Sequence, residues 1–377
     1  MNNRRIKLSH PYFSESDFKS VFNYLESVNE VKLSNEIALF ENKLADYNKV
    51  SNVVAVSSGT SALHLALLAL RIKPGDTILL PTLTFAATAF PIKYLGAIPV
   101  FIDVEDSSWV LNIDLVQKYL LNCDQNDFPK AIIAVDLFGR TCDYQRLIDL
   151  SNEYKIPIIV DAAESLGSLY QHSPSTTQGL ISILSFNFNK IITTTGGGAI
   201  LTNQKIIADN CRKLANQSRE NVHWFEHTEI GYNYRMSPIL AALGSAQIDG
   251  INEIIAERKA IRQRYADNLN SYSGIRIIGD SQWESSNAWL TNVRFSHKKY
   301  PNGRDIVREV LEKKNIESRY IWKPLHLQPI FLDSDSIVDG TAEQIYLQSL
   351  CLPSGRGLSL SEVDEICESI LISLGAR

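Results

Sequence analysis

The chain has 377 residues, more than one hydrophobic core usually organises, so a large domain and a smaller one are expected. Its 37 basic and 42 acidic residues give a formal charge of -5 without a basic stripe, which argues against nucleic acid as a main partner. Five scattered cysteines and the lack of a long apolar run predict a cytoplasmic protein without structural zinc and without membrane insertion.

The first predicted elements lead to a turn of small residues. Two helices are predicted within residues 14–47 from acidic first turns and helical apolar spacing, and a short buried strand follows at Val53–Val56. The turn Ser57–Ser61 then opens an apolar helix, where hydroxyls and free N–H groups at the positive helix end suit a phosphate. An ordinary N-cap is the alternative. The turn matches neither G-x-x-x-x-G-K-[ST] nor G-x-G-x-x-G, so an ATP loop or a dinucleotide fingerprint is not supported.

Strands and helices alternate through the next part of the chain. The strands are predicted at Thr77–Pro81, Ile98–Asp103, Ala131–Val135 and Ile156–Asp161. Continuous apolar strands separated by helices predict an α/β fold with a mostly parallel sheet that has helices on both faces. Ligands of such folds bind at the carboxyl ends of the strands. The residues predicted at those ends are Ser58, Gly59, Thr60, Thr84, Phe85, Asp161, Glu164 and Ser185.

Two ionisable residues stand out against these apolar runs. Asp161 could cap a following helix, which is the commoner role, or accept a hydrogen bond from a protonated ring nitrogen. Lys190 lies in ISILSFNFNKIITTTGGGAILT, between two strand-like runs. Burial disfavours the ammonium form, so a lysine held there tends to become the nucleophilic amine that forms a Schiff base. The alternative is a side chain that extends to the surface.

A polar segment that includes the aromatic residues Trp224, Phe225 and Tyr232 follows the glycine run. Residues 218–234 are too long to serve as a connector alone, and their aromatic residues favour an ordered surface such as a subunit contact. His223 and His227 are four residues apart, but neither a clear helix nor a third ligand accompanies them. We therefore predict no metal site.

The remaining chain is predicted to form the smaller domain. One long helical pattern runs over residues 238–269, and the boundary is placed within it, giving a large domain of residues 1–250 and an α+β domain of residues 251–377. The last helix is predicted to begin at Ser359 with a capping box completed by Glu362.

Several stretches resemble the DegT/DnrJ/EryC1/StrS sugar aminotransferases, which are fold type I pyridoxal phosphate enzymes. The matching stretches are SSGTSALHLAL, TLTFAATA, VDAAESLGS, SFNFNKIITTTGGG, GYNYRM and LCLPSG. The resemblance implies that Lys190 forms the Schiff base with the cofactor and moves the proton, and that Asp161 keeps the pyridine nitrogen protonated. It implies further that Phe85 stacks on the ring. The implied phosphate contacts are Ser58, Gly59, Thr60, Ser185 and, from the partner subunit of a homodimer, Asn233.

The sequence departs from the family pattern at two places. Glu164 occupies a position that is often Gln or His in relatives and would face the ring oxygen of the cofactor. Thr195 precedes the glycines where many relatives read Gly-Glu-Gly-Gly. The Schiff-base position itself holds Lys rather than the His of relatives that dehydrate sugars, which favours transamination.

Within the family, the resemblance is greatest to aminotransferases that act on UDP-4-keto-6-deoxy-N-acetylglucosamine. It implies L-glutamate as amino donor and active sites at the interface of a homodimer. The candidate contacts to the nucleotide sugar are Arg319, Trp322, Lys323 and His326.

Four other functions remain open from the sequence. The same chemistry could act on a GDP- or dTDP-linked keto sugar, or the chain could be a pyridoxal phosphate sugar dehydratase. It could also be a non-catalytic protein that binds a nucleotide sugar, against which the intact Lys190 and Asp161 argue. An amino-acid aminotransferase would need a fixed arginine, for which Arg319 and Arg356 are available.

Overall fold

The structure, a computed structural model, describes residues 4–29, 35–124 and 127–376. Its strands are β1 (Asn52–Val56), β2 (Thr77–Pro81), β3 (Ile98–Ile102), β4 (Ala131–Val135), β5 (Ile158–Asp161), β6 (Leu169–Tyr170), β7 (Ser173–Pro174), β8 (Ile181–Ser185), β9 (Gly198–Thr202), β10 (Ile275–Ile277), β11 (Glu284–Ser285), β12 (Thr291–Phe295), β13 (Arg319–Tyr320), β14 (Ser336–Ile337) and β15 (Ser349–Leu352). Its α-helices are α1 (Glu15–Asn29), α2 (Glu36–Asn48), α3 (Gly59–Ala69), α4 (Phe90–Tyr94), α5 (Ile113–Asn122), α6 (Tyr144–Tyr154), α7 (Lys205–Ala215), α8 (Pro238–Asp249), α9 (Ile251–Leu269), α10 (Gly303–Lys313), α11 (Thr341–Gln348) and α12 (Leu360–Ser373).

An eight-stranded sheet forms the centre of the molecule, in the order β1-β9-β8-β5-β4-β2-β3-β14. Strands β8, β5, β4, β2, β3 and β14 run parallel to one another, whereas β9 is antiparallel to both of its neighbours, β1 and β8. The predicted α/β fold with a mostly parallel sheet is confirmed.

Helices cover both faces of this sheet because its strands are apolar on both sides. Along β4, Ile132 and Ala134 belong to one core cluster, while Ile133 and Val135 belong to another. The first cluster includes side chains from α2, α5, α6 and α8, and the second includes side chains from α3, α4 and α7. This arrangement explains why the strands read as continuous apolar runs instead of alternating ones.

A smaller antiparallel sheet, in the order β10-β12-β15-β13, packs with α9, α10 and α12 around a third core cluster. The capping box predicted for α12 is present: Ser359 Oγ accepts from the N–H of Glu362, and the Glu362 carboxylate accepts from the N–H of Ser359. Strand β15 was not predicted as a strand from its sequence. A third sheet, in the order β11-β6-β7, has strands of two residues each.

The long helical pattern of residues 238–269 is two helices, which meet at Gly250 with a bend of 62°. Ile254 in the first half of α9 packs into the first cluster, whereas Tyr265 and Leu269 pack into the third cluster. Helix α9 therefore joins two cores. The division into residues 1–250 and 251–377 stays a prediction.

Within the described residues, no single helix has the length and apolar character needed to cross a membrane; α8 and α9 meet these criteria only as a bent pair.

The segment before α1 connects distant parts of the chain. The Leu8 side chain lies in the first core cluster. The backbone carbonyl of Leu8 accepts a 2.8 Å hydrogen bond from the N–H of Ser354, just after β15. Next along the chain, Ser9 Oγ donates a 3.0 Å hydrogen bond to the carbonyl of Asn189. The N-terminal segment thus reaches the loop between β8 and β9.

Candidate active site

A cavity of about 420 Å³ opens at the edge of the central sheet where β1, β5 and β8 end. Residues from the β1–α3 turn, from the segment after β2 and from the β8–β9 loop line it together. Eleven residues that we predicted from the sequence are among its lining: Ser58, Gly59, Thr60, Thr84, Phe85, Asp161, Glu164, Ser185, Lys190, Arg319 and Trp322. The rule that ligands collect at strand ends thus correctly located the cavity.

Lys190 projects into this cavity from the β8–β9 loop. Its side chain is only 13% exposed, so the alternative of a solvated surface lysine is wrong. Its Nζ lies 3.4 Å from Oε1 of Glu164 and 4.1 Å from the ring centroid of Trp289. A carboxylate and the face of an indole ring therefore surround the amine.

Glu164 is a buried carboxylate held by the backbone as well as by the lysine. Its Oε2 accepts a 2.7 Å hydrogen bond from the N–H of Phe138. Burial raises the pKa of Glu164, and the Lys190 charge opposes that rise, as does the Phe138 N–H. The carboxylate is therefore held by two donors that oppose the effect of its burial.

Asp161 ends β5 and faces the cavity with its carboxylate buried. Oδ2 accepts a 2.8 Å hydrogen bond from Thr88 Oγ1, and Oδ1 accepts a 3.2 Å one from the N–H of Ala163. Burial raises the pKa of Asp161, while these donors and the Lys190 charge lower it. The residues after Asp161 form turns instead of a helix, so it is not a helix N-cap.

The β1–α3 turn forms one end of the cavity. Ser58 is the N-cap of α3, and its Oγ accepts from the N–H of Ser61 at 3.0 Å. The first-turn N–H groups of an α-helix have no partner within the helix and can bind an anion. A Cβ at Gly59 would lie 3.0 Å from Cβ of Ser185, and one at Gly198 would lie 2.5 Å from the Ser58 carbonyl carbon. Glycine at both positions lets the helix end approach β8 and β9 closely.

Four aromatic rings follow one another beside the cavity, and three of them, Phe85, Trp322 and Trp289, line it. Phe85 lies 5.5 Å from Trp322, Trp322 lies 6.0 Å from Phe138, and Phe138 lies 6.3 Å from Trp289, all between ring centroids. Phe85 is 56% exposed, so its ring is available to a ligand. Phe138 has φ of 57°, a conformation that costs energy for a bulky residue and is common at functional sites.

Three residues that we predicted for the site do not line the cavity. The His326 ring bonds to protein through both nitrogens, with Thr82 Oγ1 at 2.6 Å and Glu343 Oε1 at 3.2 Å. Lys323 directly follows the cavity-lining Trp322 in the sequence. Asn233 is exposed and pairs through its backbone with Asn216. Their proposed contacts stay predictions.

Sequence reasoning missed Thr88, Phe138 and Trp289. Thr88 lies four residues after Thr84, and the two hydroxyls are 2.9 Å apart, a spacing that would have been detectable in TLTFAAT. Phe138 and Trp289 reach the site only through tertiary packing, so no local pattern identifies them.

The chain is similar to known proteins over nearly its whole length. Residues 12–371 match the DegT/DnrJ/EryC1/StrS aminotransferase family. The "Putative pyridoxal phosphate-dependent aminotransferase EpsN" of Bacillus subtilis (strain 168) is 38% identical over 98% of this chain and 95% of its own. GDP-perosamine synthase of Escherichia coli O157:H7 is 34% identical over 97% of each chain. The crystal structure of a DegT DnrJ EryC1 StrS aminotransferase from Brucella abortus superimposes with a TM-score of 0.87 at 28% identity, covering 96% of this chain and 95% of that one.

Proposed function

Because the chain belongs to the DegT/DnrJ/EryC1/StrS aminotransferase family, whose members depend on pyridoxal phosphate, we propose that it transfers an amino group from L-glutamate to the C4 keto group of a nucleotide-linked 4-keto-6-deoxy sugar. The observation that carries this proposal is the position of Lys190. Its amine lies inside the cavity, next to Glu164 and at the same sheet edge as Asp161. A shielded amine is what a Schiff-base lysine requires.

The cavity residues fit pyridoxal phosphate. The glycine-lined end at α3 offers free N–H groups and hydroxyls to a phosphate, and the buried Asp161 carboxylate offers an acceptor to a protonated ring nitrogen. The residues that would hold the phosphate are Ser58, Gly59, Thr60 and Ser185, and Phe85 would cover the ring. When bound, the cofactor supplies an electron sink and carries the amino group between the two substrates.

The chain itself supplies proton transfer and electrostatics. Nζ of Lys190 would accept and return the proton that moves during the exchange of the amino group. Asp161 would keep the ring nitrogen protonated, and the hydrogen bond from Thr88 holds its Oδ2 in place. Glu164 would stabilise the ammonium form of Lys190 from 3.4 Å.

Arg319 and Trp322 are our preferred contacts for the nucleotide sugar because both line the cavity. The Arg319 guanidinium lies 3.0 Å from Glu317 and is 43% exposed, so it can turn to a diphosphate. Lys323 and His326 follow in the same segment and remain candidates for further contacts with the nucleotide sugar. The His326 ring would first have to leave Thr82 and Glu343.

Two nucleotides are supported by different observations. The motif resemblance in SFNFNKIITTTGGG and LCLPSG favours UDP-4-keto-6-deoxy-N-acetylglucosamine. The 34% identity to a GDP-perosamine synthase favours a GDP-linked keto sugar instead. We propose the UDP sugar first and the GDP sugar second, with a dTDP-linked sugar as a further alternative.

We propose further that two copies of the chain share their active sites. Asn233 is exposed and lies outside the cavity of its own chain, as a residue that serves a partner's cavity would. It follows the segment 218–230, in which Trp224, Phe225 and Ile230 are also exposed. Such exposed apolar residues suit a subunit contact.

A single-turnover experiment tests the reaction and the sugar together. The enzyme is converted by L-glutamate to its pyridoxamine form and mixed with UDP-4-keto-6-deoxy-N-acetylglucosamine, while the visible absorbance of the pyridoxal form is followed. We expect that absorbance to return as an amino sugar forms, detected by mass. If glutamate converts the cofactor but this sugar does not restore the absorbance, the GDP and dTDP sugars are tested next.

The same experiment distinguishes the other enzyme class. A sugar dehydratase would form product without consuming an amino donor, and the amino sugar would be absent. Release of 2-oxoglutarate in proportion to amino sugar supports the aminotransferase, whereas product without 2-oxoglutarate contradicts it.

A further inference from the structure

Trp289 lies just before β12 and is 1% exposed, yet its ring forms part of the cavity wall next to Lys190. The ring centroid lies 4.1 Å from Nζ of Lys190. The face of an indole carries negative electrostatic potential and attracts a cation most strongly where water is excluded. The ring can therefore stabilise the ammonium form of the lysine.

Several contacts fix this ring in place. Nε1 of Trp289 donates a 2.7 Å hydrogen bond to the carbonyl of Asn189, the residue before Lys190. The carbonyl of Trp289 accepts a 2.5 Å hydrogen bond from the buried Arg258. Phe138 stacks against the ring with an interplanar angle of 20°. The indole thus holds both the side chain of the lysine and the loop that carries it.

The charged groups near the amine act differently from the ring. Glu164 at 3.4 Å and Asp161 both attract the ammonium, and Arg319 lines the same cavity with the opposite effect. A carboxylate such as Glu164 can take the proton from the lysine, whereas an indole ring cannot. The ring therefore stabilises the charge without competing for the proton.

We propose that Trp289 is a positioning residue, whose ring face holds Nζ of Lys190 in the protonated state between the uptake and the return of the substrate's proton. This inference rests on the proposed function. In the step concerned, the neutral amine would take a proton from one carbon, the electron pair of the broken C–H bond would pass through the electron sink that the bound cofactor supplies to a second carbon, and the ammonium would give the proton to that second carbon, which is thereby reduced. The Trp289 ring keeps the proton on the lysine and holds the lysine amine in the cavity.

The test measures the lysine directly instead of turnover. The protein is loaded with pyridoxamine 5′-phosphate, in which form the lysine amine is free, and is acetylated briefly with acetic anhydride over a pH series. Mass spectrometry of the peptide containing Lys190 gives the midpoint pH of its reactivity, with the exposed Lys205 as internal reference. Trp289→Leu removes the ring, Trp289→Phe keeps a weaker ring face, and Trp322→Leu is the matched control at the same cavity.

We expect the midpoint in Trp289→Leu to fall by about one pH unit, because a desolvated cation–π contact is worth roughly that much. The midpoint in Trp289→Phe should lie between those of wild type and the leucine variant, and the midpoint in Trp322→Leu should equal that of wild type. If Trp289→Leu does not fold, the shift in Trp289→Phe decides. An unchanged or higher midpoint, or an equal shift in Trp322→Leu, would overturn the proposal. Because no sugar or glutamate is present, this result does not depend on whether the proposed reaction occurs.

Discussion

Thr88 donates a 2.8 Å hydrogen bond to Oδ2 of Asp161, so a residue between β2 and α4 holds the carboxylate that ends β5. Both side chains are buried, and Thr88 also bonds to Thr84 at 2.9 Å. The orientation of this buried acid is therefore set from the segment that follows β2, a strand separated from β5 by β4.

Replacing this threonine should weaken the cofactor site without removing any predicted cofactor contact. We expect Thr88→Val to bind pyridoxal phosphate about tenfold more weakly, because a hydrogen bond to a charged group contributes about 1.5 kcal/mol or more. Cofactor titration followed by absorbance measures the affinity. Thr88→Ser keeps the hydroxyl and is the control, and equal affinities in the valine and serine variants would contradict the assigned role.

Lys190→Ala should lose transamination by about a hundredfold or more, because both the Schiff-base nitrogen and the proton-transfer group are removed. Steady-state turnover with glutamate and the keto sugar is the measurement. Lys205→Ala removes an exposed lysine of α7 and should retain wild-type turnover. Retention of even about a tenth of the rate by Lys190→Ala would show that another group carries the chemistry.

Asp161→Asn should reduce turnover by about a hundredfold or more, because a neutral amide cannot stabilise a protonated ring nitrogen electrostatically. The amide is nearly isosteric, so the fold should be preserved, which circular dichroism can check. Undiminished turnover in this variant would refute the partnership with the ring nitrogen.

Asp136 should make stability dependent on pH. Burial raises the pKa of this carboxyl from the ordinary value near 3.8 to about 7, although Tyr144 and Ser165 donate hydrogen bonds to it. The folded state therefore retains a proton that the unfolded state releases, so the contribution of Asp136 to stability decreases as pH rises from about 4 to about 7. The loss is of order 4 kcal/mol by linkage.

Chemical denaturation at several pH values tests this prediction. Asp136→Asn cannot titrate, so the free energy of unfolding of wild type relative to the variant should decrease between pH 4 and pH 7 and then level off. A constant difference across that range would contradict a raised pKa at Asp136.

The shared site can be tested by subunit exchange. Asn233→Ala and Lys190→Ala chains should each be inactive when alone, whereas a mixed dimer would contain one cavity with both native residues. We expect partial activity after mixing. No recovery, despite exchange demonstrated with two differently tagged chains, would argue against a role of Asn233 across the interface.

Local patterns in the sequence were sufficient for the central fold and for much of the cavity. The strands read as apolar runs because both faces of the sheet are covered, and the capping box of α12 was recognisable from Ser359 and Glu362 alone. Asp161 could be located because it ends β5, and Ser58 because it lies in the turn that follows β1. The position of a residue relative to its own strand was enough in these cases.

Features that depend on contacts between distant segments could not be predicted in this way. Trp289 approaches Lys190 from a segment 99 positions away in sequence, and the apolar pattern around it is the same as that of any core residue. The bend at Gly250 was missed because α8 and α9 share one helical period, and only their packing into different cores distinguishes them. The environment of His326 likewise depends on Thr82 and Glu343, which lie far away in the chain.

The N-terminal segment has a practical consequence for anyone who shortens this chain. Leu8 is anchored at Ser354, and Ser9 bonds to Asn189, directly before the lysine. A truncation that starts at α1 would therefore remove a contact that supports the β8–β9 loop, even though it leaves α1 to α12 in the chain. Expression designs for activity measurements should keep the segment from Arg4 onward and carry purification tags after α12.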